Sequence, residues 1–175
     1  MINRLMSILA TRKIAAAFGI LYLINQGILL WIISGPGIDC LKIQLTFSPQ
    51  VFSGILSKWN HADLSAYLKH FYFDSYHPLL YAVFLSSIIA VLARRNRSEV
   101  NASDKFFFLL PFIAAFLDIL ENGMHILMIF HRELISPAWV IASGSISNAK
   151  WLLVFSSILY IIYMLRRGCR NACSE

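Results

Sequence analysis

Four polar residues interrupt an apolar run from Phe106 to Phe130, and the side chains of three of them are of the types that carry out acid–base chemistry. The run reads FFFLLPFIAAFLDILENGMHILMIF and contains Asp118, Glu121, Asn122 and His125. Their spacing puts all four on one face of a helix. A carboxylate near the centre of a bilayer costs roughly 2.5–3.5 kcal/mol on insertion scales. We therefore expect groups on other helices to compensate this cost, and the functional site to lie where they meet.

The composition indicates which elements must position these side chains. The chain is 58% hydrophobic and only 14% charged, with a mean hydropathy of +0.66. Several runs of about 20 apolar residues indicate an all-α polytopic membrane protein rather than a soluble one. We predict a single membrane domain over residues 1–175, a four-transmembrane-helix bundle, whose spans cover about residues 14–34, 77–92, 106–130 and 137–165.

The connection between the first two spans, residues 38–76, has a different pattern. It contains two amphipathic helical pieces, one from Pro49 to Trp59 and one capped by Asn60. Its aromatic residues are typical of a membrane interface. We predict that this extracytoplasmic segment lies on the outer face of the membrane as interfacial helices. Its two histidines, His61 and His70, are expected to be solvated.

The distribution of basic residues predicts the orientation of the chain. The N-terminal segment, the 93–105 link and the C-terminal tail hold ten Lys and Arg, against four in the other two connections. Because cytoplasmic loops carry the excess of Lys and Arg, both termini are predicted to be cytoplasmic. The short loops are typical of a bacterial protein of the inner (plasma) membrane. The net charge of +6 does not indicate nucleic-acid binding, since the basic residues flank the apolar runs.

The helical rise of about 1.5 Å per residue predicts the depth of each polar residue. Counted from the cytosolic ends of the spans, Asp118 lies about 18 Å up, and Glu121 and Lys150 lie about 22 Å up. We predict one buried site toward the outer leaflet, in which Lys150 pairs with Glu121 or Asp118 and which could hold labile protons. The polar residues at similar depth are Asn25, Gln26, Asp74, His77, Asp118, Glu121, Asn122, His125 and Lys150.

Three stretches of the chain together resemble a known type of protein. They are LKHFYFDSYHPLLYAVF, LLPFIAAFLDILEN and IASGSISNAKWLL. Their order resembles that of small bacterial four-span membrane proteins with an Asp and Pro-x-x-Tyr entering the second span, LD-x-x-EN in the third and Lys-aromatic in the fourth. The resemblance covers about residues 50–165 and implies the architecture and the choice of residues, but no activity. The matching residues are Asp74, Pro78, Tyr81, Asp118, Glu121, Asn122, Lys150 and Trp151.

Hydrolysis is one chemistry that these side chains could carry out. Glu121 or Asp118 would act as general base, His125 or His77 as acid, and Lys150 would stabilise an anionic intermediate. We therefore predict binding or hydrolytic modification of a lipid or amphiphile, and whether the protein is an enzyme stays open. The catalytic candidates are Asp118, Glu121, His125, His77 and Lys150. The binding candidates are Asp74, Asn122, Asn25, Gln26 and Ser145.

A divalent metal is an open alternative for the same set. Carboxylates and histidines on one helix face are metal ligands, although the sequence contains no HExxH motif. The metal candidates are Asp118, Glu121, His125 and His77.

Two further functions stay open on the sequence alone. Acid, His and Lys chains inside membranes serve proton- or ion-coupled transport, for which four spans would require a partner or a homo-oligomer. Paired intramembrane charges also fix helix register in structural subunits. The expected partners are the lipid bilayer and a lipid-like substrate, and no nucleic acid.

Overall fold

The computed structural model describes residues 1–34, 39–96 and 99–172, with side chains up to residue 168. Within these ranges 90% of the residues are helical and none is in a strand. Ile38, the first residue of the predicted outer segment, lies outside the described residues.

Four stretches in the described part of the chain are long and apolar enough to cross a membrane. They comprise helix α2 (Arg12–Ser34), the stretch ending in α6 (His77–Asn96), α7 (Ala102–Phe130) and α8 (Pro137–Ala172). Each contains one predicted span, so the prediction of an all-α protein with four such helices is confirmed. Helices α6 and α8 continue past their predicted spans into charged sequence, and α7 begins four residues before its own.

The shorter helices are α1 (Ile2–Leu9), α3 (Cys40–Leu45), α4 (Pro49–Lys58) and α5 (His61–Asp74). A cap sets the start of α4, where the Ser48 side chain accepts a hydrogen bond from the Val51 amide and Pro49 fills the first position. At the start of α5, Asn60 and Asp63 form a reciprocal capping box. Both helices were predicted from the sequence.

Helix α5 runs almost without interruption into α6. Only Ser75 and Tyr76 separate the two, and the Ser75 amide still donates to Phe71 O at 2.9 Å. Helix α5 buries Tyr67, His70, Phe71 and Asp74. The expectation that His70 is solvated is therefore wrong, since it is only 6% exposed. The sequence failed here because burial of His70 depends on partners far away in the chain.

The chain divides into two compact units. The first unit comprises Met1–Tyr22, Leu79–Ala115 and the chain from Trp151 onward, and the second comprises Leu23–Pro78 and Phe116–Lys150. Each unit contains segments of the long helices.

An apolar cluster forms the core of the first unit, with Ile89, Phe108 and Met164 among its fully buried members. Inside it the Tyr160 hydroxyl donates to Asp104 Oδ1 at 2.5 Å. The core of the second unit includes Ile43, Phe52, Tyr67 and Met128, so α3, α4 and α5 all contribute to its interior. The segment predicted to be interfacial therefore supplies much of this core.

Candidate functional site

Polar stripes on three helices of the second unit carry most of the predicted site residues. Helix α7 presents Asp118, Glu121, Asn122 and His125, all no more than 7% exposed. Helix α8 presents Ser143, Ser147 and Lys150, and α5 presents Tyr67, His70 and Asp74, all likewise buried. Because residues three, four and seven apart share one helical face, each stripe is continuous.

Lys150 lies between two carboxylates. Its Nζ is 2.5 Å from Asp118 Oδ1 and 2.6 Å from Glu121 Oε2. The sequence predicted a pair with one acid or the other, and the structure contains both pairs. We call these three residues the acid–lysine cluster. All three are at most 5% exposed, so solvent screens their attraction little.

A third carboxylate connects α5 to α7. The Asn122 side chain donates to Asp74 Oδ2 at 2.7 Å. Asp74 also interacts electrostatically with Asp118, Lys150 and His77. Among the described residues, the site therefore contains three carboxylates and one lysine.

Helix α2 joins the same network through Asn25. Its Nδ2 lies 3.1 Å from His77 Nδ1 and 3.4 Å from the Phe73 carbonyl oxygen. Asn25 is buried, whereas its neighbour Gln26 is half-buried. All four long helices thus contribute a side chain to the network, as the depth argument predicted.

The imidazole of His125 is held by an aromatic partner that the sequence analysis did not select. The Tyr67 hydroxyl lies 3.0 Å from His125 Nδ1, and the Phe52 and His125 rings pack at a nearly perpendicular angle. If Tyr67 donates this bond, Nδ1 accepts it and the proton of the neutral ring resides on Nε2. His125 then presents a hydrogen-bond donor.

Several deeply buried polar atoms near these groups have no hydrogen-bond partner within the described part of the chain. An unsatisfied buried group costs about 1–3 kcal/mol, so native proteins contain few of them. Here they concentrate on the three stripes, where a polar ligand could satisfy them. These atoms are His70 Nδ1, Asn122 Oδ1, His125 Nε2 and Ser143 Oγ.

The residues that were nominated as metal ligands are arranged differently. Across the ranges that the structure covers, no group of three or more His, Cys, Asp and Glu side chains is placed to hold a metal ion. The position between Asp118 and Glu121 that a cation would occupy is taken by Lys150 Nζ. The ammonium group is thus the counter-ion of these two carboxylates.

Comparison with protein-family models, curated proteins and solved structures found no match for this chain.

The predicted set of site residues differs from the observed one at two serines of α8 and two residues of α5. Ser145, nominated for binding, is exposed, whereas Ser143 and Ser147 are 2% and 0% exposed. Tyr67 and His70 were not nominated. The spacing of Tyr67, His70 and Asp74 at three and seven residues is the sequence signal that could have identified them.

The thiol of Cys40 borders the second unit's core. Burial, and then the negative charges of Asp74 and Asp39, raise the pKa of Cys40 to about 12. A thiol with such a pKa stays protonated at neutral pH and is a poor nucleophile. Cys40 is therefore a packing residue.

Proposed function

We propose that this chain is an integral membrane protein that binds the polar group of a lipid or another amphiphile on the three stripes and hydrolyses it. The observation that carries the proposal is the concentration of unpartnered buried polar atoms around the acid–lysine cluster. Donors and acceptors without partners in an apolar region favour a ligand that carries complementary groups.

The residues divide into roles by their contacts. Glu121 acts as general base: it accepts a proton from water as the water oxygen bonds to the carbonyl or phosphoryl centre. It then returns this proton to the leaving oxygen as the ester bond breaks. Lys150 and the Nε2–H of His125 stabilise the negative charge of the intermediate. Asp118 keeps Lys150 positioned, and Tyr67 orients His125.

The location of the site follows from the positive-inside rule. We infer that both termini are cytoplasmic in a bacterial inner membrane, because ten of the Lys and Arg residues lie on the three segments at that side. The connection from α3 to α5 is then extracytoplasmic, and the site lies toward the outer leaflet.

Lipid analysis of vesicles that contain the purified chain tests the proposal. Products released over time are expected with the wild type and with Glu133→Gln, which changes an exposed carboxylate. Glu121→Gln should lower the rate of product release at least about 10²-fold, as is typical for loss of a general base. Equal product formation by the two variants would refute the assignment of Glu121.

Proton-coupled transport is the second candidate, and one observation favours it. Asp118 and Glu121 share Lys150 in a nearly dry site, and a third carboxylate, Asp74, bonds to Asn122 beside them, so the cluster is suited to hold and release a proton. A pH-sensitive dye inside the same vesicles distinguishes the two functions. Proton flux that is lost in Glu121→Gln, without any lipid product, would support transport and contradict hydrolysis.

A purely structural role is distinguished by stability. If Glu121→Gln, Asp118→Asn and Lys150→Met together unfold at a higher temperature than the wild type, and neither products nor flux are found, the charges serve only to pair helices.

A further inference from the structure

A cavity of about 340 Å³ opens in the first unit, and none of its lining residues belongs to the polar stripes. Its walls come from α1, the end of α6 and the start of α7. Arg94 and Lys105 contribute two positive charges, Glu99 contributes one negative charge, and Met6 and Val100 provide apolar surface. The cavity therefore combines a positive rim with an apolar wall.

The cavity lies at the junction of two membrane-crossing helices. Helix α6 ends at Asn96 and α7 begins at Ala102, so this junction marks a membrane surface. Arg94 is in the last turn of α6, and Lys105 is near the start of α7. Basic residues at this level face the phosphates of lipid head groups.

Helix α1 provides a second, independent observation. Its Met6 is buried against the core and lines the cavity, whereas Leu5 and Ile8 are 38% and 55% exposed beside the exposed Arg4. A short amphipathic helix with exposed apolar and basic side chains is suited to lie in the boundary between head groups and acyl chains. The cavity thus opens where a phospholipid would be available.

We propose that this cavity is a binding site for the head group of an anionic glycerophospholipid. Arg94 and Lys105 hold the phosphodiester, and Met6 and Val100 contact the carbons next to it. Glu99 accepts a hydrogen bond from a head-group hydroxyl, which a choline group cannot donate. The inference does not depend on the proposed hydrolysis, because it concerns another set of residues.

Native mass spectrometry of the full chain in detergent tests the proposal. The detergent solution contains phosphatidylglycerol, phosphatidylethanolamine or phosphatidylcholine at rising concentration. We expect phosphatidylglycerol to bind about tenfold or more tightly than either of the others, since its net charge complements the positive rim. Equal binding of the three lipids, or tighter binding of phosphatidylethanolamine, would overturn the assignment.

Matched variants locate the binding. The double variant Arg94→Gln, Lys105→Gln should weaken phosphatidylglycerol binding about tenfold or more. The control is Arg166→Gln with Arg167→Gln, which removes the same charge from α8 of the same unit and should leave the binding unchanged. The charge-preserving pair Arg94→Lys and Lys105→Arg should retain most of the binding even if the double Gln variant folds poorly. Equal losses in the two double Gln variants, or a complete loss in the charge-preserving pair with its fold intact, would contradict this site.

Discussion

Lys150 balances two buried carboxylates at once, and this determines how each residue of the cluster can be replaced. Its ammonium group contacts Asp118 and Glu121 within 2.6 Å. Removing one member of a buried ion pair leaves a charge without compensation, whereas replacing all members by neutral groups is far less costly. The same reasoning applies to the Tyr67–His125 pair, where a single hydroxyl is the contact.

We predict that Lys150→Met lowers the free energy of unfolding by about 3–5 kcal/mol, because two buried carboxylates lose their counter-ion. Adding Asp118→Asn and Glu121→Gln to it should restore most of this loss. Thermal unfolding in detergent measures the stability of the single and of the triple variant. The control is Lys69→Met, which changes an exposed lysine on α5 and should alter the stability little. An unchanged unfolding temperature in Lys150→Met would contradict the role of Lys150 as counter-ion in the acid–lysine cluster.

Removing only the hydroxyl of Tyr67 isolates the contact to His125. Tyr67→Phe keeps the ring, which is fully buried, but leaves His125 Nδ1 without this partner. We expect a loss of about 1–3 kcal/mol in the free energy of unfolding. Tyr72→Phe makes the same change at an exposed position of the same helix and should be neutral. Equal unfolding midpoints in denaturant for both variants would show that the hydrogen bond contributes nothing.

The positions of the three polar stripes depend on the helices that carry them and on how closely those helices approach neighbouring segments. Helix α8 passes close to the connection between α3 and α4 at Gly144, where an added Cβ would lie 2.5 Å from the Thr46 carbonyl oxygen. Such a contact with a backbone atom cannot be relieved by rotating a side chain. Gly144 therefore allows the approach that brings Ser143 and Ser147 beside the site.

We predict that Gly144→Ala destabilises the protein by about 1–3 kcal/mol, because the backbone at Thr46 must shift. Gly123→Ala in α7 is the matched control. Apart from its chain neighbours and its own helix backbone, no atom of the described residues lies within 4 Å of its new Cβ. Because alanine favours a helix, Gly123→Ala should be neutral or stabilising by up to about 1 kcal/mol. Chemical unfolding of the two variants compares them directly, and a Gly144→Ala variant as stable as the wild type would argue against the close approach.

At the scale of the whole molecule, the charge distribution and the four long apolar helices together predict one topology. The basic residues of α1, the α6–α7 junction and the end of α8 should face the cytoplasm. The cavity lined by Arg94 and Lys105 would then face the inner leaflet.

Labelling of single cysteines with a membrane-impermeant maleimide tests this topology. With Cys169 and Cys173 replaced by Ser, Lys58→Cys should react in intact cells, whereas Ser7→Cys should react only after lysis. Cys40 serves as the internal control, because its buried thiol, with a pKa of about 12, should stay unlabelled at neutral pH. The reverse pattern of labelling would invert the orientation and place the proposed site toward the cytoplasm.

Local patterns in the sequence were sufficient to predict the helices and the polar face of α7. Hydrophobic run length, the Asn60 cap and the helix start at Pro137 depend only on neighbouring residues, and the Asp118 stripe follows from helical periodicity. The choice of Lys150 as partner also followed, because an acid in an apolar run requires a cation at the same depth.

Only the tertiary structure decided which further side chains of α5 and α8 enter the site. The burial of His70, the contact of Tyr67 with His125 and the choice of Ser143 over Ser145 depend on how α5 and α8 are rotated against α7. That rotation is set by packing between residues far apart in the chain. A sequence pattern gives the face of each helix, but it does not specify which neighbouring helix that face contacts.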